Sequence, residues 1–448
     1  MTTTLDAGLL EVVSQSIEAQ LGLHYPPERW PDLDRGLRGA AKELGFDCVE
    51  KCARALILAK LERAQIDALA AHLTIGETYF FREPAVFAAL ASHVLPALVR
   101  SRQGRAKRLR IWSAGCCTGE EPYSIAIALR RAIPDVEDWQ ITILATDINP
   151  RFLHKAAAGV YGDWSFRGVP EELRATWFRR LPERQFEILP VIRKMVDFSC
   201  LNLVEDIYPS LANDTNAMDL IFCRNVLMYF SREQMRKVIV KFHRSLVAEG
   251  ALLVSATESA RELFLEFTPD DIPGIALYRK GAPAPRPEMI VPAAAPVPMQ
   301  IPEPVPRLPV LQPSPMPPPD PADEARRLAN EGKLSEALAA CEQAIAADKL
   351  VAAHHYLRGA VLQEQNAFDE AAAAFRRALY LDPDFVIVHF ALGHLFQRQG
   401  RGRDAARCFA NARSLVQDRA PASVLPESDG ITAGRLLAIL DSMEEAFA

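Results

Sequence analysis

No run of this chain stays apolar for the roughly 18 residues that a membrane span requires. The first residues, Met1-Thr-Thr-Thr-Leu-Asp6, lack the basic-then-apolar order of a secretory signal. Direct membrane insertion is therefore not expected, and the cytoplasm is the expected compartment. Cysteine is sparse, with 8 in 448 residues, at Cys48, Cys52, Cys116, Cys117, Cys200, Cys223, Cys341 and Cys408. None forms matched CxxC pairs, which argues against structural zinc and leaves no metal site to expect. Cys48 and Cys52 stand one helical turn apart, as on an apolar helix face, and the thiols read as reduced and mostly packed. Positive charge is not in excess: the net charge is −6, which argues against a nucleic-acid partner. The nicotinamide fingerprint G-x-G-x-x-G is absent as well.

What the chain does have is the stretch Arg110-Ile-Trp-Ser-Ala-Gly-Cys-Cys-Thr-Gly-Glu-Glu-Pro-Tyr-Ser-Ile-Ala-Ile127. It reads as a strand, a small-residue loop and a helix. That order places backbone N–H groups and a helix start at the carboxyl end of a strand, where cofactors bind in open α/β sheets. The loop, with Gly115 in it, carries two acids, Glu120 and Glu121. They would repel a pyrophosphate and attract a cofactor with a cationic end, such as S-adenosylmethionine. A second β-rich segment, Ile141–Thr146, ends at Asp147, and an acid at that place commonly binds ribose hydroxyls. The plainer alternative is an ordinary strand–turn–helix with surface acids.

At 448 residues the chain is too long for one core, so several domains are expected. Residues 1–95 show helical spacing, as in Leu9, Leu10, Val13 and Ile17. Residues 96–280 alternate strand and helix patterns, with strands expected at Leu109–Ser113, Ile141–Thr146, Asp219–Cys223 and Ala251–Ala256. The rhythm breaks over about 161–203, where Pro170, Pro182 and Pro190 precede a strand-like Met195–Leu201. That segment reads as a small, partly antiparallel insertion. Residues 281–321 hold nearly half of the 33 prolines and read as an extended linker. Beyond it, Gly332-Lys-Leu-Ser-Glu-Ala337 recurs as Asn366-Ala-Phe-Asp-Glu-Ala371 and Gly400-Arg-Gly-Arg-Asp-Ala405, at offsets of 34. That period is the tetratricopeptide signature. Gly359, Ala371, Phe375, Ala378 and Pro383 supply its small, aromatic and proline positions, and Gly393, Ala405, Phe409 and Ala412 repeat them. The repeats span 322–415, and an amphipathic Thr432–Phe447 within the tail 416–448 fits a cap on the open end. The fold expected is multidomain: an α-helical N-terminal domain, an α/β Rossmann-like cofactor-binding domain with a small β insertion, and all-α repeats.

The chain resembles the chemotaxis receptor methyltransferases of the CheR type, fused to tetratricopeptide repeats. Four segments carry the likeness. Thr78-Tyr-Phe-Phe-Arg82 resembles T-x-F-F-R; Trp112–Ile127 resembles the cofactor loop; Thr146-Asp-Ile-Asn149 resembles the ribose turn; Ile221-Phe-Cys-Arg-Asn-Val-Leu-Met-Tyr-Phe230 resembles F-C-R-N-V-x-x-Y-F. They span roughly residues 75–260. The resemblance implies cofactor contacts at Thr78, Arg82, Gly115, Glu121, Asp147, Asn202, Leu203, Arg224 and Asn225, with Glu120 competing with Glu121. It implies catalytic roles for Arg82 and Tyr229, the tyrosine standing near the transferred methyl. It further implies S-adenosylmethionine as donor, S-adenosylhomocysteine as product, and glutamates on receptor cytoplasmic helices as substrate. Repeat-fused members serve other arrays too, including the Wsp-like branch for surface sensing and biofilm formation. Two positions depart. Gly76 stands where the family has asparagine, which removes a polar contact, and Ser255-Ala-Thr-Glu258 replaces G-H-x-E while keeping the acid.

Methyl transfer to a carboxylate needs no general base, because glutamate, with a pKa of about 4.3, is already ionised at neutral pH. Arg82 is the candidate to hold a carboxylate; the alternative is a surface arginine closing a helix. Tyr229 either hydrogen-bonds near the sulfonium or packs as a core aromatic. Lys51, Arg54, Lys60 and Arg63 form a basic helix face, which either steers a glutamate-rich receptor or is merely solvated. The run Arg100, Arg102, Arg105, Lys107, Arg108 and Arg110 reads as a solvated loop. The repeats' concave face is expected to hold an unidentified protein or peptide, or to mediate self-association. Two other readings compete: a signalling scaffold that binds the donor or its product without turnover, and a small-molecule or RNA methyltransferase on the same fold.

Overall fold

The computed structural model describes residues 5–58, 61–102, 107–281 and 320–447. Apart from its end residues, the expected proline-rich linker lies outside them, as do Lys60 and Arg105.

Four helices open the chain: Ala7–Leu21, Trp30–Glu43, Val49–Leu58 and Arg63–Leu73. The side chain of Asp6 caps the first by accepting from the Gly8 N–H at 3.1 Å. Gly22, at φ 78°, ends it by donating to the Glu18 carbonyl. Their apolar stripes meet in one core that includes Val13, Ile17, Leu33, Leu37, Leu56 and Leu69. A further helix, Pro84–Ser101, is apolar enough by length and composition to cross a membrane. Its Phe87, Leu90, Val94 and Leu95 pack into the core against the sheet, as in the core helix of a globular domain.

The strands are β1 (Arg108–Ala114), β2 (Gln140–Asp147), β3 (Val160–Gly162), β4 (Phe178–Arg180), β5 (Gln185–Ile188), β6 (Val196–Cys200), β7 (Met218–Cys223), β8 (Leu246–Val254), β9 (Thr268–Asp270) and β10 (Ala276–Arg279). Seven of them form one sheet in the order β6-β2-β1-β7-β8-β10-β9. The first five run parallel, and β10 and β9 are antiparallel. β1 pairs with β2 on one side and β7 on the other, which makes their carboxyl ends the topological switch point. β7 is buried at every residue, as expected for a strand covered on both faces.

The insertion carries a separate antiparallel sheet, β3-β5-β4. The strand read within its last part does not belong to it. β6 instead pairs in parallel with β2, from Ile143 opposite Val196 to Asp147 opposite Cys200. An edge strand of a parallel sheet and a strand of a small antiparallel insertion show the same half-apolar alternation, so local pattern could not separate them.

After the linker come the paired helices Pro321–Asn330 with Leu334–Ala347, Ala352–Glu364 with Phe368–Leu381, and Val386–Arg398 with Gly402–Val416. A Cβ added at Gly359 would lie 2.6 Å from the Phe375 ring, and one at Gly393 would lie 2.4 Å from the Phe409 ring. The recurrent small residue thus clears room for the recurrent aromatic. The last helix, Ala433–Phe447, packs on Gly402–Val416 and also reaches Arg63–Leu73 and Pro150–Ala158.

Two expectations are corrected, on the arginine run and on Cys48. Among the described members of the arginine run, Arg102, Arg108 and Arg110 are not solvated loop residues. Lys107 does pair at the surface with Asp135, at 2.6 Å, but Arg102 pairs with Asp219. Arg110 is buried, and with Arg108 it meets Glu364 of the repeats. Local charge density suggested solvent because the compensating acid lies 254 residues away from Arg110. Of the two readings of the basic helix face, the solvated one fits its described members: Lys51 and Arg54 are exposed, and Lys51 pairs with Asp47, Arg54 with Glu50 and Arg63 with Asp67, each four residues apart. All eight cysteines are free; Cys52 is packed, but Cys48 precedes the helix and is exposed.

Candidate functional site

Strand β1 ends in a loop that only small residues can form. The N–H groups of Gly115 and Cys116 both donate to the Thr146 carbonyl, at 2.7 and 2.9 Å. Gly115 has φ 79°, and a Cβ there would come within 2.4 Å of the Val226 side chain. The Cys117 N–H then reaches Asp147 Oδ2 at 2.8 Å, which joins the loop to the end of β2. The Asn149 N–H donates to the other carboxylate oxygen, Oδ1, at 2.9 Å. Burial outweighs these bonds and pushes the Asp147 carboxyl up to about 6.

The two glutamates that open the helix Glu120–Ala132 part company. Glu121 turns into the sheet's crevice, where it accepts from Ser113 Oγ at 2.8 Å and from Arg224 Nη1 at 3.0 Å. Glu120 is 1 % exposed and turns away, accepting from Thr118 Oγ1 at 2.6 Å and Ser165 Oγ at 2.9 Å. It pins the insertion to the loop and does not line the cavity. Of the two competing positions, Glu121 faces the site.

Arg224 links the pieces. Its buried guanidinium meets Glu121, donates to the Arg82 carbonyl at 2.9 Å and approaches Glu83 at 3.2 Å. The T-x-F-F-R segment is thereby fastened to the carboxyl end of β7. Arg82 itself is half-buried and donates to the Glu77 carbonyl at 2.7 Å. Asn225 sits at φ 57°, with its N–H on Glu258 Oε2 at 2.9 Å. Asn202 donates to the Gln20 carbonyl at 2.8 Å, tying the adjoining wall to the first helix.

A cavity of about 390 Å³ results at the carboxyl ends of β1, β2 and β7. Thr78, Arg82, Gly115, Glu121, Asp147, Asn202, Leu203, Arg224, Asn225 and Tyr229 all line it, so every candidate except Glu120 converges there. Tyr229 is half-buried; burial raises its phenol, and the Arg29 guanidinium lies 5.8 Å from its ring. The structure also adds residues that sequence reasoning had not placed in the site. Leu21, Leu23 and Leu73 bring the N-terminal core to the cavity wall. Phe152 occupies the space beside Gly76, where a Cβ would lie 2.6 Å from its ring. Glu258 lies beneath the site and receives the Asn225, Met228 and Ser255 N–H groups. The capping-box spacing of Ser255 and Glu258 was the available signal for it.

Residues 76–269 match the family model described as "CheR methyltransferase, SAM binding domain". The chain is also 37 % identical over 216 residues to a "Probable chemotaxis protein methyltransferase" of Rhizobium etli, covering 46 % of this chain and 76 % of that one. The chain belongs to the CheR methyltransferase family. Residues 362–400 match a TPR repeat model. This CheR-family chain is 33 % identical over 330 residues to the "Probable biofilm formation methyltransferase WspC" of Pseudomonas aeruginosa, covering 68 % of this chain and 76 % of the relative. It is 34 % identical over 191 residues to a "Chemotaxis protein methyltransferase" of Borreliella burgdorferi, covering 42 % of this chain and 66 % of that one.

The cofactor of a CheR-family domain is S-adenosylmethionine. The residues present fit it. Three carboxylates, those of Glu77, Glu121 and Asp147, line the cavity, which suits a cationic group, and Gly115, where a Cβ would strike Val226, lets the backbone itself form part of the wall.

Proposed function

We propose that this chain methylates glutamate side chains on the cytoplasmic part of a methyl-accepting chemoreceptor. One observation carries the reading: a single cavity joins the carboxylates of Glu121 and Asp147 to the guanidinium of Arg82. The carboxylates suit the donor, and Arg82 suits a carboxylate, whether of the donor or of the receptor. When bound, S-adenosylmethionine supplies an electrophilic methyl, which a carboxylate oxygen takes by direct displacement as the C–S bonding pair returns to sulfur. No proton moves in that exchange, so no side chain is assigned as general base.

The chain's own residues then bind and orient. Asp147 would offer acceptors to the ribose, Asn202 and Leu203 would form the wall on the adenine's side, and Glu121 would face the cationic end. Arg82 aligns the carboxylate. The raised pKa of Tyr229 keeps its phenol protonated and able to donate. Leu21, Leu23 and Leu73 keep water from the cavity wall. Orientation of this kind is worth about 7–11 kcal/mol of barrier. A cytoplasmic location and a protein partner at the repeats belong to the same proposal, supported by the names of the relatives and the TPR match.

The test is transfer of labelled methyl from S-adenosylmethionine to receptor cytoplasmic fragments, read as base-labile ester. Incorporation by the wild-type chain and its loss in Arg82→Ala are expected. Donor binding without any transfer to receptor glutamate would overturn the proposal in favour of a binding scaffold.

A further inference from the structure

The inner groove of the repeats is filled from within the chain. In a three-unit array the first helix of each pair lines the groove, and Tyr356, Ala360, Glu364 and Phe390 on those helices are all buried. Two segments cover them. One is the loop Ser210–Asn216, between β6 and β7: Ala212 packs with the core of the second and third repeats, and Leu211 with that of the first. The other is the tail after the last repeat, where Glu427 pairs with Arg326 and Asp429 accepts from Ser210 Oγ at 2.7 Å.

Two polar locks hold this contact. Glu364 accepts from Arg110 Nη1 with both oxygens, each at 2.8 Å, and also from Arg108. Arg110 Nη2 donates to the Asp214 carbonyl at 2.7 Å, so one guanidinium joins β1, the loop and the repeats. At the other end, Arg435 of the last helix donates to the carbonyl of Cys200.

Between these locks runs Cys200–Asn216, and its first residues carry the cofactor wall. Leu201, Asn202 and Leu203 line the cavity. The Leu201 N–H donates to the Asp147 carbonyl at 3.0 Å. The Leu203 carbonyl receives Lys241 Nζ at 2.9 Å and the Tyr208 hydroxyl at 2.8 Å.

We propose that the repeat domain works in cis as a clamp: its groove takes the loop Ser210–Asn216, and Glu364 and Arg435 act as positioning residues that hold the cofactor wall at Cys200–Leu203. This rests on the cavity being the donor site. With the clamp open the wall samples other conformations, and apparent affinity falls in proportion to the competent fraction. A wall ordered a tenth to a fifth of the time gives about 5- to 10-fold weaker binding. A protein that enters this groove must displace the chain's own loop and tail, so it would lower donor affinity as it binds.

The experiment uses the full chain carrying Arg435→Ala, Glu364→Ala or the milder Glu364→Gln. Calorimetry with S-adenosylhomocysteine reads affinity, and amide hydrogen exchange reads order over 200–217. Initial rates separate KM for the donor from kcat. The expected result is faster exchange over 200–217, about 5- to 10-fold weaker binding, and a raised donor KM with kcat within about twofold at saturation. Arg435→Lys should restore part of the affinity. Faster exchange with unchanged affinity overturns the coupling, and unchanged exchange in all three variants overturns the clamp. A uniform loss of kcat without a KM change assigns these residues to folding alone and also overturns it. If the wild-type chain fails to bind S-adenosylhomocysteine, the donor-site reading fails, and the exchange arm still tests the clamp.

Discussion

Lowering the pH should weaken donor binding through Asp147. In the ligand-free protein, burial raises this carboxyl from an ordinary 3.8 to about 6. It is therefore half protonated near pH 6 and about nine-tenths protonated at pH 5. A protonated carboxyl is a poorer acceptor for ribose hydroxyls and has no charge to offer a cation. If the donor binds only the ionised form, affinity at pH 5 is about 10-fold below its value at pH 7, or about 1.4 kcal/mol. The sign is fixed by the direction of the shift: binding tightens as pH rises through about 6 and then levels off. Titration calorimetry with S-adenosylhomocysteine from pH 4.5 to 7 reads this directly. The range stops well below the titration of the ligand's own α-amino group. Asp147→Asn keeps one acceptor for the Cys117 or Asn149 N–H, loses the charge, and should bind weakly with a flat profile over this range. A flat wild-type profile, or the same slope in Asp147→Asn, would refute the assignment of Asp147 to the cofactor.

Other outcomes follow from the same geometry. Arg82→Ala should lower kcat/KM for receptor methylation by about 10- to 150-fold, the worth of one charge-assisted hydrogen bond of about 1.5–3 kcal/mol, read by labelled methyl incorporation. Glu121→Gln should weaken product binding by about 10-fold, whereas Glu120→Gln should leave affinity near wild type and lower the melting temperature, since it serves Thr118 and Ser165. A reversed pattern, read by calorimetry and thermal unfolding, would swap their roles. Gly115→Ala should cost about 1–2 kcal/mol of stability from the left-handed backbone alone, with more from the 2.4 Å approach to Val226, as read by urea unfolding.

Much of the site was legible because its chemistry is local. The loop from Gly115 to Glu121 and the acid at Asp147 each occupy a strand end, and strands can be read from apolar runs; Thr78, Arg82, Asn202, Leu203, Arg224, Asn225 and Tyr229 were reached through the family resemblance. A Rossmann-like sheet then brings those ends together, which is why nearly all the candidates line one cavity. The choice between Glu120 and Glu121 was not legible. Adjacent helix residues differ by about 100° in direction, and only the contacts with Ser113, Arg224 and Ser165 show which one faces the crevice. The place of β6 was also hidden, since strand pairing depends on residues far along the chain.

Local pattern alone determined the helical start, the alternating sheet, the 34-residue repeats and the acidic cofactor loop, because periodicity and turn chemistry act within a few residues. Tertiary structure alone decided that Arg108 and Arg110 meet Glu364, that Phe152 fills the space beside Gly76, and that the groove of the repeats faces the chain's own catalytic domain. Those facts depend on residues separated by up to 256 positions, and only a folded chain brings such groups within hydrogen-bonding reach.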